Sequence, residues 1–279
     1  ARLATVALAA VSVSAARYPS FGTLRTTNSS GVMNVVINNT YSEINLFDLH
    51  VQSDLANLIE TLQANDTDIR VVSPLPFFDP GIPDMTFPVA LLWNITQLPQ
   101  ATIAVIEGRA RGIGNEFLMS CDMRFATTSP SVLLAQLETS FGLNPGAGGA
   151  MYLAHQIGRG RTFEYVFASK DIDAVTADKY GWINRAFDTS AELRDYVDAL
   201  AARIALFPAA GIVGTKAGIN AVSRPPMDVI IQEAQNIIGV LSQTPVTQAF
   251  AKKFVAVTNN QSLGDLELNY GEKLVSLFQ

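Results

Sequence analysis

The spacing of apolar positions along this chain divides it into short strands and longer helices. Residues 22–25 and 32–37 read as two strands around the turn formers Asn28-Ser29-Ser30-Gly31, and residues 49–62 place Leu55, Leu58, Ile59 and Leu62 on one helical face. Residues 69–72 predict a short buried strand that enters a proline-rich loop at 74–83. A further strand is expected at 102–107, then a helix starting near Gly114, then a third unit around 131–135. Beyond Phe207 the pattern becomes mostly helical, with helices expected at 209–222, 227–241 and 265–277. Repeated strand-helix units of this size predict α/β layering.

One stretch breaks the ordinary pattern. Residues 108–149, GRARGIGNEFLMSCDMRFATTSPSVLLAQLETSFGLNPGAGG, set two glutamates beside two glycine-rich turns. Glu116 follows Gly112-Ile113-Gly114 and precedes an almost continuous apolar run, so its helix has no surface face on which to put a carboxylate. A buried carboxylate has a raised pKa and marks a candidate functional group. Glu138 lies just before the rigid turn Asn144-Pro145-Gly146, although AQLETS also reads as an ordinary amphipathic edge. A glycine-rich loop feeding a helix N-terminus leaves unpaired N–H groups and a positive dipole end, which suits an oxyanion. Paired carboxylates beside such amides are the parts needed to move protons next to a carbonyl.

Composition narrows the setting. With 279 residues, 48% of them hydrophobic and no charge-rich linker, the chain is read as one domain with a helical appendage. A net charge of -6 argues against nucleic acid and an anionic membrane as partners, leaving a small molecule as the expected one. The single cysteine, Cys121, is expected as a packed core thiol; no disulfide, metal cluster or nucleotide fingerprint is expected. His50 and His155 stand in helical contexts and suggest no nucleophilic triad.

The ordered segments LPQATIAVIEGRARGIGNEFLMSCDMRFA, QLETSFGLNPGAGG and GRGRTFEYVFASKDIDAVTADKYGWINRAF resemble the crotonase (enoyl-CoA hydratase/isomerase) superfamily from about Tyr18 onward. The resemblance implies an α/β spiral of ββα units over residues 17–205, followed by C-terminal helices at 206–279 that join subunits into a trimer or a dimer of trimers. It implies acid/base roles for Glu116 and Glu138 and an oxyanion hole from the backbone N–H groups of Ile82 and Ile113, with Gly81, Gly112, Gly114 and Gly146 shaping the pocket. Keeping both glutamates points to hydration or dehydration of an acyl or carbonyl substrate over members that use a single carboxylate, with a double-bond shift as the other crotonase-type reaction.

The N-terminus pulls elsewhere. Residues 1–16 hold Arg2, an apolar run and small residues, the shape of a secretory leader, with a docked apolar arm or a transit segment as the alternatives. Five sequons, at Asn28, Asn38, Asn65, Asn94 and Asn260, add weight to secretion, against which stands a cytoplasmic or organellar location. Between Arg25 and Arg109 the only Lys or Arg is Arg70, and the first lysine is Lys170, so the cations that hold coenzyme A phosphates are sparse. No separate cofactor is expected, and coenzyme A, as part of a substrate, is expected to bind weakly or not at all. Three readings follow: a crotonase-type lyase or isomerase, a secreted enzyme acting on a CoA-free carbonyl compound, and a non-catalytic binding protein with the inherited fold.

Overall fold

The apolar run Ala-Thr-Ile-Ala-Val-Ile at 101–106 is buried at every position, and the core is organised on its two faces. The computed structural model describes residues 5–9, 20–29, 32–42, 48–64, 86–258 and 264–279. The expected strand at 69–72, the loop at 74–83 with Gly81 and Ile82, and the acceptors Asn65 and Asn260 lie outside the described residues. The strands in chain order are β1 (Thr5–Ala9), β2 (Leu24–Ser29), β3 (Val32–Ile37), β4 (Ala101–Ile106), β5 (Ala110–Arg111), β6 (Met123–Thr127), β7 (Leu133–Ala135), β8 (Ile172–Asp173) and β9 (Arg185–Phe187). The helices are α1 (Leu49–Ala64), α2 (Thr86–Gln97), α3 (Ile113–Ser120), α4 (Gly149–Gln156), α5 (Arg159–Ala168), α6 (Ala174–Tyr180), α7 (Ser190–Ala205), α8 (Ala209–Ser223), α9 (Met227–Gly239), α10 (Pro245–Val257) and the short α11 (Asp265–Leu268) and α12 (Tyr270–Lys273).

A sheet of order β2-β3-β1-β4-β6-β9 is antiparallel through β4 and parallel from β4 to β9, and β5-β7-β8 form a second sheet. Successive side chains of a strand point to opposite faces. Accordingly Ala104 and Ile106 join the main core with α1, α2 and α3, whereas Ile103 and Val105 pack with Phe125, Phe187, Leu193 and Val197 under α7. Helix α7 starts at a capping box in which Glu192 N–H donates to Thr189 and Thr189 N–H donates back to Glu192. This α/β arrangement is the class that the strand-helix alternation predicts.

Several expectations change in detail. Thr5–Ala9, inside the stretch read as a leader, is a strand paired to β3 on one edge and β4 on the other, which is the docked arrangement. Losing residues 1–16 would leave both neighbours with unpaired edges inside the sheet. Asn94 lies within α2 and is only 9% exposed, which leaves no room for an oligosaccharide, so that acceptor is withdrawn. Of the other described sequons, Asn28 lies in β2 and Asn38 is half-buried just after β3. The helix expected at 265–277 is broken into α11, α12 and a 3-10 turn at Leu274–Leu277, and α10 was not expected.

The C-terminal helices build the site of their own chain. Phe250 and Phe254 of α10, with Tyr270, enclose Phe141 at ring distances of 5.1, 4.9 and 6.1 Å. Ile230, Ala234 and Ile237 of α9 lie against Gly146 and Gly148. By contrast α8 has no buried residue, and is tied down by Lys216, which pairs with Asp122 at 2.9 Å.

Candidate active site

Glu116 occupies the first turn of α3 and is 2% exposed. Its carboxylate is held from one side. Oε1 accepts the N–H of Ala147 at 2.8 Å and of Gly149 at 3.0 Å, which leaves Oε2 as the oxygen not committed to the main chain. The turn presents both amides because Gly148 adopts φ 90°, a left-handed conformation that a side chain would strain. Burial pushes the Glu116 carboxyl up, and the Gly149 and Ala147 amides pull it part of the way back.

Glu138 begins the 3-10 turn Glu138–Phe141 and is half-buried. Burial, and then the negative charge of Glu116, push it up to about 8. Its Oε1 faces Gly112, where a Cβ would lie 3.0 Å away; φ 54° also requires glycine there. Its Oε2 accepts the Gln136 amide at 3.2 Å. Gln136 in turn accepts from Asn115 at 2.6 Å, and Asn115 accepts from the indole N–H of Trp182 at 3.0 Å. The two glutamates thus meet through a shared neighbour. A Cβ on Gly149 would contact both Gln136 Nε2 and Glu116 Cγ, at 2.7 and 2.9 Å.

A third carboxyl lies close by. Glu233 shares the Ile230, Ala234 and Ile237 face of α9, the face that packs on the glycine turn, and its Oε2 is buried without a hydrogen-bond partner. Burial and then the Glu116 charge push it up to about 7.

Of the residues singled out from sequence, Glu116, Glu138, Gly112 and Gly146 converge here, and Ile113 is the first residue of α3, beside Gly112. Gly114 faces open space. The sequence reading missed Gln136, Asn115, Trp182 and Glu233. Glu233 left a signal, a carboxylate three residues after Ile230 and four before Ile237 on an apolar stripe; Trp182 left none.

Three cations make contacts within the chain. Arg111 forms a two-point pair with Asp171 at 2.8 and 2.6 Å, Arg109 donates to Leu268 O at 2.6 Å, and Lys253 donates to Leu277 O. Burial pushes the Cys121 thiol up to about 12, so it packs as an inert core group. Among the described residues no His, Cys, Asp and Glu cluster of metal-binding size occurs. A cavity of about 800 Å³ opens beneath α8, at the C-terminal end of α3, between Met119, Arg124, Tyr152, Phe207 and Lys216; neither glutamate of the pair lines it.

This arrangement, two unlike carboxyls beside a helix N-terminus, can be compared with known proteins. Residues 85–253, more than half of the chain, match the family model described as enoyl-CoA hydratase/isomerase. The chain belongs to that family. As a member of the enoyl-CoA hydratase/isomerase family, it is similar to a solved Streptomyces avermitilis protein assigned as an enoyl-CoA hydratase, with 32% identity and a TM-score of 0.80 over 93% of this chain and 99% of that one. It is 33% identical over 123 residues to YngF of Bacillus subtilis, assigned as an enoyl-CoA hydratase/isomerase, covering 44% of this chain and 46% of that protein. It is 34% identical over 103 residues to human mitochondrial methylglutaconyl-CoA hydratase, covering 37% of this chain and 30% of that protein. The matched stretches thus span 30% to 46% of the length of these two curated relatives.

Proposed function

We propose that this chain adds water to, or removes it from, an α,β-unsaturated acyl compound, or shifts its double bond, using Glu116 and Glu138. The observation that supports this most is the unlike environment of two mutually repelling carboxyls. Two buried carboxyls that repel each other hold one proton between them at neutrality, and titrate as a pair. Glu116, which accepts two main-chain amides, is the better seat for the charge; Glu138, raised to about 8, is the better seat for the proton. In the hydration direction Glu116 Oε2 takes a proton from water as its oxygen bonds to the β-carbon. The π electrons move toward the carbonyl oxygen, and Glu138 delivers its proton to the α-carbon. Charge developing on the carbonyl oxygen suits the N–H of Ile113 at the start of α3; the N–H of Ile82 is proposed as the second donor.

The substrate we propose is an acyl thioester or carbonyl compound with few or no nucleotide phosphates, because Arg109, Arg111 and Lys253 already serve their own chain. Hydration of crotonyl-pantetheine and crotonyl-CoA, followed by loss of enoyl absorbance, tests both points. Glu116→Gln or Glu138→Gln should each lower kcat by about 10²–10⁴. Unchanged turnover in either variant removes the two-carboxylate mechanism, and micromolar binding of crotonyl-CoA removes the phosphate-poor substrate. A trimer or hexamer is proposed with it, supported by α8, in which no residue is fully buried within this chain. Export is a separate proposal that rests on the sequons; β1 stands against it.

A further inference from the structure

Three buried side chains outside the glutamate pair form one continuous hydrogen-bonded line that ends on Glu138. Trp182 donates to Asn115, Asn115 to Gln136 and Gln136 to Glu138, at 3.0, 2.6 and 3.2 Å. The direction of this line is fixed at its far end. An indole N–H can only donate, so the Asn115 atom facing it has to be the oxygen Oδ1. The Asn115 NH₂ then faces Gln136, which must present Oε1 to it. Gln136 is left with its own NH₂ toward Glu138, where it can only donate. An amide can be turned end for end with little change in shape, so without Trp182 both amides could face either way.

We propose that Trp182 and Asn115 are positioning residues that act through Gln136 to decide which oxygen of Glu138 carries the transferable proton. Glu138 Oε2 receives an N–H, so a proton placed there would meet a donor rather than an acceptor. The proton is therefore kept on Oε1, the oxygen that faces Gly112 at the start of α3. The same line stabilises the ionised form of Glu138 once the proton has left, and so opposes, without cancelling, the effect of burial and of Glu116. If the line reversed, a Gln136 carbonyl would face Oε2 and would hold the proton on the wrong side, turned away from Gly112 and the start of α3. The inference rests on the reading of Glu138 as the acid of the pair.

Other ionisable groups meet this turn in different ways. The negative charge of Glu116 on α3 raises both Glu138 and Glu233 of α9. The Tyr270 hydroxyl reaches Ser140 at 3.4 Å, and the residue after α5, Ser169, accepts Ser140 N–H. Helix α10 meets the turn through Phe250 and Phe254. None of these contacts changes when the indole N–H is removed, so a response to that change reports on the line itself.

The test is a double-mutant cycle of Trp182→Phe and Gln136→Met, read from the titration midpoint of Glu138 by carboxyl carbon NMR, with no substrate present. Trp182→Phe should move the midpoint upward by about one unit, the scale expected when a hydrogen bond to a carboxylate is lost. In the Gln136→Met background the same change should move it no further. Because Trp182 is fully buried, Asn115→Leu serves as a second entry to the same cycle with the same expectation. An unmoved midpoint in both Trp182→Phe and Asn115→Leu overturns the proposal, as do equal shifts with and without Gln136. Crotonyl-pantetheine turnover is followed in parallel. Shifted midpoints without any hydration would sink the proposed function and leave the line intact, whereas hydration with unmoved midpoints would sink the line alone.

Discussion

Replacing Gly149 by alanine places one methyl group where the two halves of the site touch. The added Cβ would lie 2.7 Å from Gln136 Nε2, 2.8 Å from Gln136 Cδ and 2.9 Å from Glu116 Cγ. Relaxed contacts fall near 3.5–4.0 Å, so both side chains must retreat by roughly 0.6–1.3 Å. Overpacking of this kind costs about 1–3 kcal/mol, and the helix-propensity gain of alanine, about 1 kcal/mol in a helix interior, is smaller at the first residue of α4. A net loss near 1–2 kcal/mol should lower Tm by about 2–8 °C for a chain of this size. Turnover should suffer more. The Gln136 bond to Glu138 is already at 3.2 Å, the long end of the useful range, so a retreat breaks it. Losing a hydrogen bond to a carboxylate, about 1.5–3 kcal/mol, corresponds to roughly 10–150-fold in kcat. Calorimetry and crotonyl-pantetheine kinetics measure the two effects. Gly160→Ala on α5, whose Cβ would meet nothing within 4 Å, is the control and should lose neither stability nor activity. If Gly149→Ala matched that control, the close approach of Gln136 and Glu116 would not be what holds the site.

The remaining predictions concern charge and the chain ends. Glu138 and Glu233 are raised in the folded state to about 8 and about 7 from an ordinary 4.5, so the folded protein binds their protons more tightly than the unfolded chain. Their contribution is complete below about pH 4.5 and is lost as pH rises toward 7 and 8. Glu138→Gln and Glu233→Gln should therefore each flatten the fall in Tm between those values, and an unchanged slope in both would show that neither carboxyl is desolvated. Glu116→Gln should lower the titration midpoint of Glu233 from about 7 toward the ordinary carboxylate range, by removing the charge that repels it; an unmoved midpoint would separate Glu233 from the site. With β1 paired on both edges, mass spectrometry of the natural protein should find residues 5–9 retained, and a mature N-terminus beyond residue 9 would show that the working molecule lacks this strand.

Much of this could be read from residue order. The strand expected at 102–107 is found at 101–106, and the absence of a polar face after Glu116 marked a buried carboxylate. Glu138 was legible mainly through its place before the Pro-Gly turn. What was not legible depends on long-range pairing. Trp182 lies 67 positions from Asn115, and nothing local to either residue signals a partner. Asn94 looked like a glycan acceptor because a sequon is a three-residue signal, and burial within α2 is not written in three residues. The N-terminal segment left its alternatives open for a related reason: an apolar segment between small residues fits a leader and a central strand equally well. The break between α11 and α12 was hidden by a periodic pattern that continues across it.

The aromatic enclosure of Phe141 has a consequence for how the protein comes into being. Ser140 and Tyr270, which touch, are 130 positions apart. A chain emerging from the ribosome can assemble β4, α3 and the glycine turn well before Phe250, Phe254 and Tyr270 have been made. Until then the segment that seats Glu138 has a bare aromatic side chain and no cover. Glu138 would thus be the later of the two carboxyls to be fixed in place, and a chain clipped before Phe250 would keep β4, α3 and the glycine turn while leaving the Glu138–Phe141 turn without its aromatic cover.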